Sequence, residues 1–516
     1  PDPSVKRQSG FLKPMFGSSG SLGDSIYTPY FYIISDSKDI TIKPRLFTDK
    51  LVMQSEYRQK TKNSNTLTDF SFTKGHDSYL GDNNDSRMHF FTNTKVDLNL
   101  DKYLKSTLEI NYEKTSNDNY LKVFNLESPL LNSGIDVLES IISLDLEHQN
   151  YDLTGSFEMY ETLNGPKSDR YTYVLPSFSF SKNFGIDILD GSFIFKSSGS
   201  NNLASTNVVT SNFINDLNYI SGDNFLKNGI KTGYEVSLRN INALGKNHST
   251  YKNSPQSELM GIYAFNTSLP LIKDTEKSLN TLEPKLSFRF SPHDMKNNFN
   301  LERRIDTSNI FNINRLGMDN SLEAGESITA GFNFSKEKKV IENDISEIEK
   351  YFDLSLATSF RFNEEKNIPQ KSSLNKKISN IFGQLDFKPT KNLSLNYNFS
   401  LNDDLNDLEY NNIVTKINFD NFSTQFNFLE EKGIIGQTNV IENITKYRFD
   451  EENFLSFKTR KNRNINLTEY YNLLYEYKND CLIASIKYEK NYYNDADIKP
   501  LEELFFTITI IPLTTF

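Results

Sequence analysis

Leu393-Ser394-Leu395-Asn396-Tyr397-Asn398-Phe399-Ser400-Leu401 places an apolar side chain at every odd position and Ser or Asn at every even one. Successive side chains of a β-strand point to opposite faces, so a period of two gives one apolar and one polar face. A half-wetted strand of this kind belongs to a soluble β-sandwich or to a transmembrane barrel, and the surrounding sequence decides between them. The alternation returns in Lys38–Phe47, with Ile40, Ile42, Pro44 and Leu46 opposite Asp39, Thr41, Lys43 and Arg45. It returns again in Phe352, Leu354, Leu356, Phe360 and Phe362 against Asp353, Ser355, Ser359 and Arg361, and in Phe422, Phe426 and Phe428 against Ser423, Gln425 and Asn427. The pattern runs the length of the 516 residues with no helical period, and its polar set of Asn, Ser, Thr, Asp and Lys suits a wet lumen.

Composition agrees. Hydrophobic residues make up only 37%, yet aromatics reach 13%, with 40 Phe, 27 Tyr and no Trp. Disordered chains are poor in aromatic residues, whereas a transmembrane barrel places its rings in a lipid-facing band and girdles around a polar interior. No uninterrupted apolar run is long enough for a spanning helix. A closed barrel is the other structure that satisfies every backbone group in lipid. Spanning strands of roughly 9–11 residues with their connections predict an all-β fold, one large closed antiparallel barrel of about 26 strands. The expected organisation is a linker over 1–20 and a transmembrane barrel over 21–516. Asp101-Lys102 reads as a periplasmic turn, and Lys336–Lys350 and Asn363–Lys377 as extracellular loops. The net charge of −10 gives no nucleic-acid footprint.

Enzyme chemistry finds no foothold. His76, His89, His148, His248 and His293 show no metal-ligand spacing. One cysteine, Cys481, cannot assemble a thiolate metal site and has no partner in the chain. There is no nucleophile elbow, phosphate-binding glycine loop or dinucleotide fingerprint. The reading therefore assigns no catalytic residue, no metal and no cofactor.

Local motifs carry a resemblance to the LptD family of lipopolysaccharide-assembly proteins. It lies in Arg7-Gln8-Ser9-Gly10-Phe11-Leu12-Lys13-Pro14, Tyr27-Thr28-Pro29-Tyr30-Phe31-Tyr32 and Asp39-Ile40-Thr41-Ile42-Lys43-Pro44-Arg45. It continues in Leu282-Glu283-Pro284, Asn309–Asp319, Glu323-Ala324-Gly325 and Ser327–Gly331, departing at Asn320, where the family often has Arg. Tyr475–Cys481 resembles a cysteine-bearing strand, with Asp480 at the first of two positions where the family often has paired cysteines. The closing strand, with Phe506, Ile508, Ile510 and the terminal Phe516, is similar to the signal read by the bacterial barrel-assembly machinery.

The resemblance implies an integral outer-membrane barrel that inserts lipopolysaccharide (LPS) into the outer leaflet through a lateral gate between its first and last strands. An LptE-like lipoprotein plug and a periplasmic LPS-bridge protein are the implied partners, and a periplasmic jelly-roll domain is expected to precede Pro1. Pro29 and Pro44 match the family's gate prolines. Proline cannot donate to a ladder, although the same residues also suit strand ends near the membrane interface, the reading that fits Pro512. Inward-facing Asp39, Lys43, Arg45 and Arg58 would meet head-group phosphates or sugars, or else pair among themselves as solvated lumen charges. Cys481 would bridge to the missing domain, or else be a small buried strand residue. The alternative function is an outer-membrane nutrient channel, either porin-like or the barrel of a plugged transporter.

Overall fold

The computed structural model describes residues 7–19, 22–48, 50–74, 86–132, 134–164, 168–185, 190–248, 251–342, 345–492 and 501–510. Within them the chain forms one closed antiparallel barrel of 26 strands. Each strand pairs with its neighbours in sequence, and the first meets the last. The first strand has two segments, Gly10–Phe11 and Met15–Ser19, and so does the second, Gly23–Tyr27 and Tyr30–Ser35. Two further short segments, Asn224–Phe225 and Leu271–Asp274, extend hairpins of the wall. One rim carries tight turns such as 36–37, 148–150, 391–392 and 479–481. The other carries the long connections 116–136, 292–324 and 362–380. Outer-membrane barrels have short periplasmic turns and long extracellular loops, which orients the molecule.

The predicted strands Lys38–Phe47 and Leu393–Leu401 form with those limits. Their polar face is the lumen. Asn396 Nδ2 donates to Asp386 Oδ1 of the neighbouring strand at 2.5 Å, and Asn398 Nδ2 to Asn396 Oδ1 at 2.8 Å. Around the wall, Asp69, Ser71, Thr73, Arg87 and His89 are buried inside, while the alternating Phe72, Met88 and Phe90 are exposed outside. Leu286, Phe288 and Phe290 continue the outer apolar band. Among the described residues no helix is long and apolar enough to cross a membrane, so the spans are the strands.

Two expectations are corrected. The barrel wall begins at Gly10 rather than after residue 20, because Met15–Ser19 pairs both with the second strand and with the last. That stretch, Met-Phe-Gly-Ser-Ser, has too few apolar side chains to show a period. Lys336–Lys350 is also no extracellular loop. It belongs to the long antiparallel pair of Gly325–Glu342 and Ile345–Arg361, whose pairing runs out to Glu342 opposite Ile345 at the short-turn rim. Its register sets Lys338 opposite Glu349 and Glu337 opposite Lys350. Opposite charges across a pair support a strand that runs on past the apolar band, so a run that reads as loop by composition is ladder. Asp101-Lys102 is a turn, and Asn363–Lys377 lies in the connection 362–380 on the long-loop rim, with a 3₁₀ turn at Gln370–Ser372.

Candidate functional site

Among the described residues the seam is the least-paired junction of the wall. Met15–Ser19 faces Thr507–Glu503 over five residue pairs, the fewest of any neighbouring strands among the described residues. The last strand, Leu501–Ile510, pairs over ten with its other neighbour. Pairing at the seam stops next to Pro14, which has no N–H to offer a ladder. Pro29 interrupts the second strand, where its carbonyl accepts from Leu12 N at 2.8 Å, and Pro44 lies in the third, accepting from Thr28 N at 3.3 Å. The predicted gate prolines thus stand one and two strands back from the seam. It is Met15–Ser19, and not the strand interrupted by Pro29, that faces the last strand.

Inside the seam, glycine has a geometric reason. A Cβ on Gly17 would stand 2.8 Å from Cδ1 of Phe505, so only the bare backbone lets that ring lie over the first strand. Arg45 reaches across from the third strand. Its guanidinium lies 5.7 Å from the Phe505 ring centre, 4.8 Å from that of Phe47 and 3.9 Å from the buried Glu503 carboxylate. Its Nη1 also donates to the carbonyl of Phe124 at 3.2 Å. One cation therefore touches the third strand, the last strand and a loop.

The other predicted luminal charges are brought together, and they pair. Arg58 Nε donates to Asp39 Oδ1 at 2.6 Å and its Nη1 to Glu56. Lys43 donates to Glu56 Oε2 at 2.8 Å, and Arg7 also pairs with Asp39. A neighbouring network was not foreseen. Asp69 accepts from Gln54 Nε2 at 3.0 Å and lies 2.7 Å from His89 Nε2. Ser71 Oγ lies 2.6 Å from His89 Nδ1 and 2.7 Å from the Tyr120 hydroxyl. Tyr120 opens a one-turn helix, Tyr120–Val123, in the loop 116–136. This loop folds into the lumen and packs Tyr120, Leu121 and Phe124 on Phe47, Val52 and Phe91.

A second loop, 292–324, is pinned to the wall further round. Both oxygens of Glu323 accept twice: Oε1 from Arg315 Nη2 and Arg361 Nη1, each at 2.6 Å, and Oε2 from Arg315 Nε at 2.9 Å and Arg289 Nη1 at 3.0 Å. Burial would raise this carboxyl's pKa, but Arg315, Arg289 and Arg361 outweigh it and hold the group far below the ordinary carboxylate range. Arg315 Nη1 reaches Thr329 Oγ1 at 2.9 Å and Ser359 Oγ at 3.0 Å. Ile310, Leu316, Met318 and Leu322 of this loop are buried. Sequence reading quoted Arg315 and Glu323 without seeing their partners. The signal available was an Arg on an otherwise Ser-lined inner face, Ser287-Arg289-Ser291 and Ser359-Arg361.

Cys481 is a free, exposed thiol in the turn 479–481 at the short-turn rim, not a buried strand residue. Phe506 lies on the outer face, and Ile508 and Ile510 belong to the last strand. Pro512 and Phe516 lie outside the described residues. No cluster of three metal-ligating side chains occurs among the described residues.

An apolar outer band, a polar lumen with two loops folded against its wall, and a wall of 26 strands define an integral outer-membrane β-barrel of the largest common size class. The model of the family "LPS transport system D" (LptD) matches residues 85–445, and the chain belongs to that family. It is similar to the LPS-assembly protein LptD of Idiomarina loihiensis, 26% identical over 35% of this chain and 23% of that protein. It is also similar to that of Pseudomonas putida strain W619, 37% identical over 16% of this chain and 8% of that protein. The matched stretches thus span about a quarter or less of these relatives' length. Among solved structures, the siderophore receptor PirA from Pseudomonas aeruginosa aligns over 98% of this chain and 81% of its own, at 9% identity and a TM-score of 0.36. PiuA from Acinetobacter baumannii aligns over 98% and 82%, at 7% identity and a TM-score of 0.30.

Proposed function

We propose that this barrel carries LPS to the outer leaflet, passing the sugar head through the lumen while the lipid leaves sideways between the first and last strands. Family membership supports the substrate. The observation that carries the route is the seam: five residue pairs among the described residues, ended by Pro14, where the next-fewest neighbouring strands have six. In lipid every unpaired backbone group costs several kcal/mol, so the junction with the fewest pairs is the one that opens at least cost. Pro29 and Pro44 belong to the same device one and two strands back, where they break or limit the ladders that would brace the first strand.

Arg45 holds the closed state from within. It ties the third strand to Glu503 and Phe505 of the last strand and to the loop at Phe124, so parting the seam releases the loop's nearest anchor as well. Lys43 and Arg58 contact the head group by exchanging Glu56 and Asp39 for phosphate, since arginine forks match either anion, and Asp39 accepts from sugar hydroxyls. The barrel works without catalysis, beside a lipoprotein plug and a periplasmic bridge protein. The barrel-assembly machinery folds it through its C-terminal strand. Cys481, a free thiol exposed at the short-turn rim, bonds a cysteine of a periplasmic domain in this reading.

Depletion of the full-length protein in its host tests the reading. Newly made LPS should stop reaching the cell surface and accumulate inside, while uptake of small nutrients continues. Continued surface delivery with lost nutrient uptake would favour the channel alternative.

A further inference from the structure

Near the extracellular mouth, a cavity of about 380 Å³ lies between the inner wall and the loops 292–324, 362–380 and 432–438. The size falls within the range of small-molecule sites, about 300–1,000 Å³. Its wall is contributed by Gln384, Asn398 and Tyr410 of three successive strands, and its mouth by Arg304 and Lys371 of two loops. Phe382 and Ile305 give it a buried apolar floor.

Three features set this cavity apart from a packing defect. Tyr410 turns an aromatic ring toward the cavity, and the Arg304 guanidinium lies 6.0 Å from its centre. The Tyr410 hydroxyl and Asn398 Oδ1 have no hydrogen-bond partner among the described residues, although both border the cavity. Both cations are ion-paired at the edge rather than locked in the core: Arg304 with Glu431 and Lys371 with Glu302, each at 2.5 Å. Such pairs are held weakly enough to be shared with an incoming anion.

An apolar platform, an amide and a hydroxyl with unused capacity, and two cations at the mouth match one kind of molecule. A sugar ring presents a C–H face and a rim of hydroxyls, and a phosphate or carboxylate on it needs a cation. Arginine supplies that in fork geometry. We infer that the cavity is a saccharide subsite that takes one phosphorylated or acidic sugar unit of the head group as it leaves the lumen. The inference rests on the LPS reading above and adds a station to its path.

Photo-cross-linking in cells exporting LPS with the full-length protein tests it. A benzoylphenylalanine is placed at Ser308, at the cavity, or at Asn427, on the luminal wall away from it, and LPS adducts are read by immunoblot. Both positions should give adducts. Arg304→Gln with Lys371→Gln should cut the Ser308 adduct at least about fivefold, the loss of one modest polar contact, and leave the Asn427 adduct within about twofold. A Ser308 adduct that is absent or indifferent to the two substitutions while Asn427 still reacts overturns the subsite, as does an equal fall at both positions. Adducts at neither position would instead overturn the LPS route itself. Retarded migration of the unheated barrel on gels confirms that each variant is folded.

Discussion

Glu323→Gln removes the one carboxylate on which Arg289, Arg315 and Arg361 converge, and leaves three buried guanidinium groups facing a neutral amide. Breaking a buried ion pair by neutralising one partner costs about 3–5 kcal/mol. Against this stand Ile310, Leu316, Met318 and Leu322, all essentially inaccessible, each worth roughly 1.5–3 kcal/mol of apolar burial. The apolar contribution exceeds the loss, so the loop 292–324 stays docked on average. Its opening equilibrium nevertheless shifts by roughly a hundredfold to several thousandfold. Arg315 is buried in the docked loop, which makes tryptic cleavage after it a direct count of openings. The variant should be cut there about a hundredfold faster while the wall, held by its ladders, keeps its retarded migration on unheated gels. Cleavage within about twofold of the parent would refute the assignment of the arginine cluster as the loop's anchor.

Further outcomes are expected. Because the arginines depress the Glu323 pKa, its stabilising contribution is present above the unfolded carboxyl value and is lost only as pH falls through the far lower folded value. Hydrogen-exchange protection in the loop 292–324, taken relative to the intrinsic exchange rate at each pH, should therefore be flat between about pH 5 and 8. Leu395→Lys, on the lipid side, should destabilise the barrel by about 2–4 kcal/mol in a urea refolding titration, whereas Asn396→Lys, on the lumen side, should be near neutral. Equal effects would contradict the assigned faces. In the full-length protein, Cys481→Ser should change mobility on non-reducing gels. Identical mobility would mean that the exposed thiol forms no interdomain bond.

The fold was legible because the period of two survives wherever a strand crosses the membrane, as in Leu393–Leu401. It failed where solvent or glycine replaces lipid. Lys336–Lys350 lies past the apolar band, so its ladder carries charges on both faces, and Met15–Ser19 is too short and polar to show alternation. The luminal side of Asp39, Lys43, Arg45 and Arg58 was readable, but their pairing was not. Asp39 meets Arg58 only through the hairpin register, and Arg45 meets Glu503 only because the barrel closes. Glu323 gathers arginines from two wall strands and its own loop, a convergence that no local spacing announces. Pro14 was quoted within a motif, yet its place at the end of the seam follows from the register between the two ends of the chain.

The central claim is that the first and last strands part to release lipid. Ser18 and Leu504 stand directly opposite each other across that seam, and directly opposed Cβ atoms lie about 4.5–5.5 Å apart, close to the spacing a disulfide bridges. Ser18→Cys with Leu504→Cys, compared with Thr424→Cys with Thr445→Cys across an ordinary strand pair, provides the measurement: surface arrival of pulse-labelled LPS before and after oxidation. Oxidation should stop delivery in the seam variant alone, and reduction should restore it. Delivery that continues through a fully cross-linked seam would contradict the lateral gate.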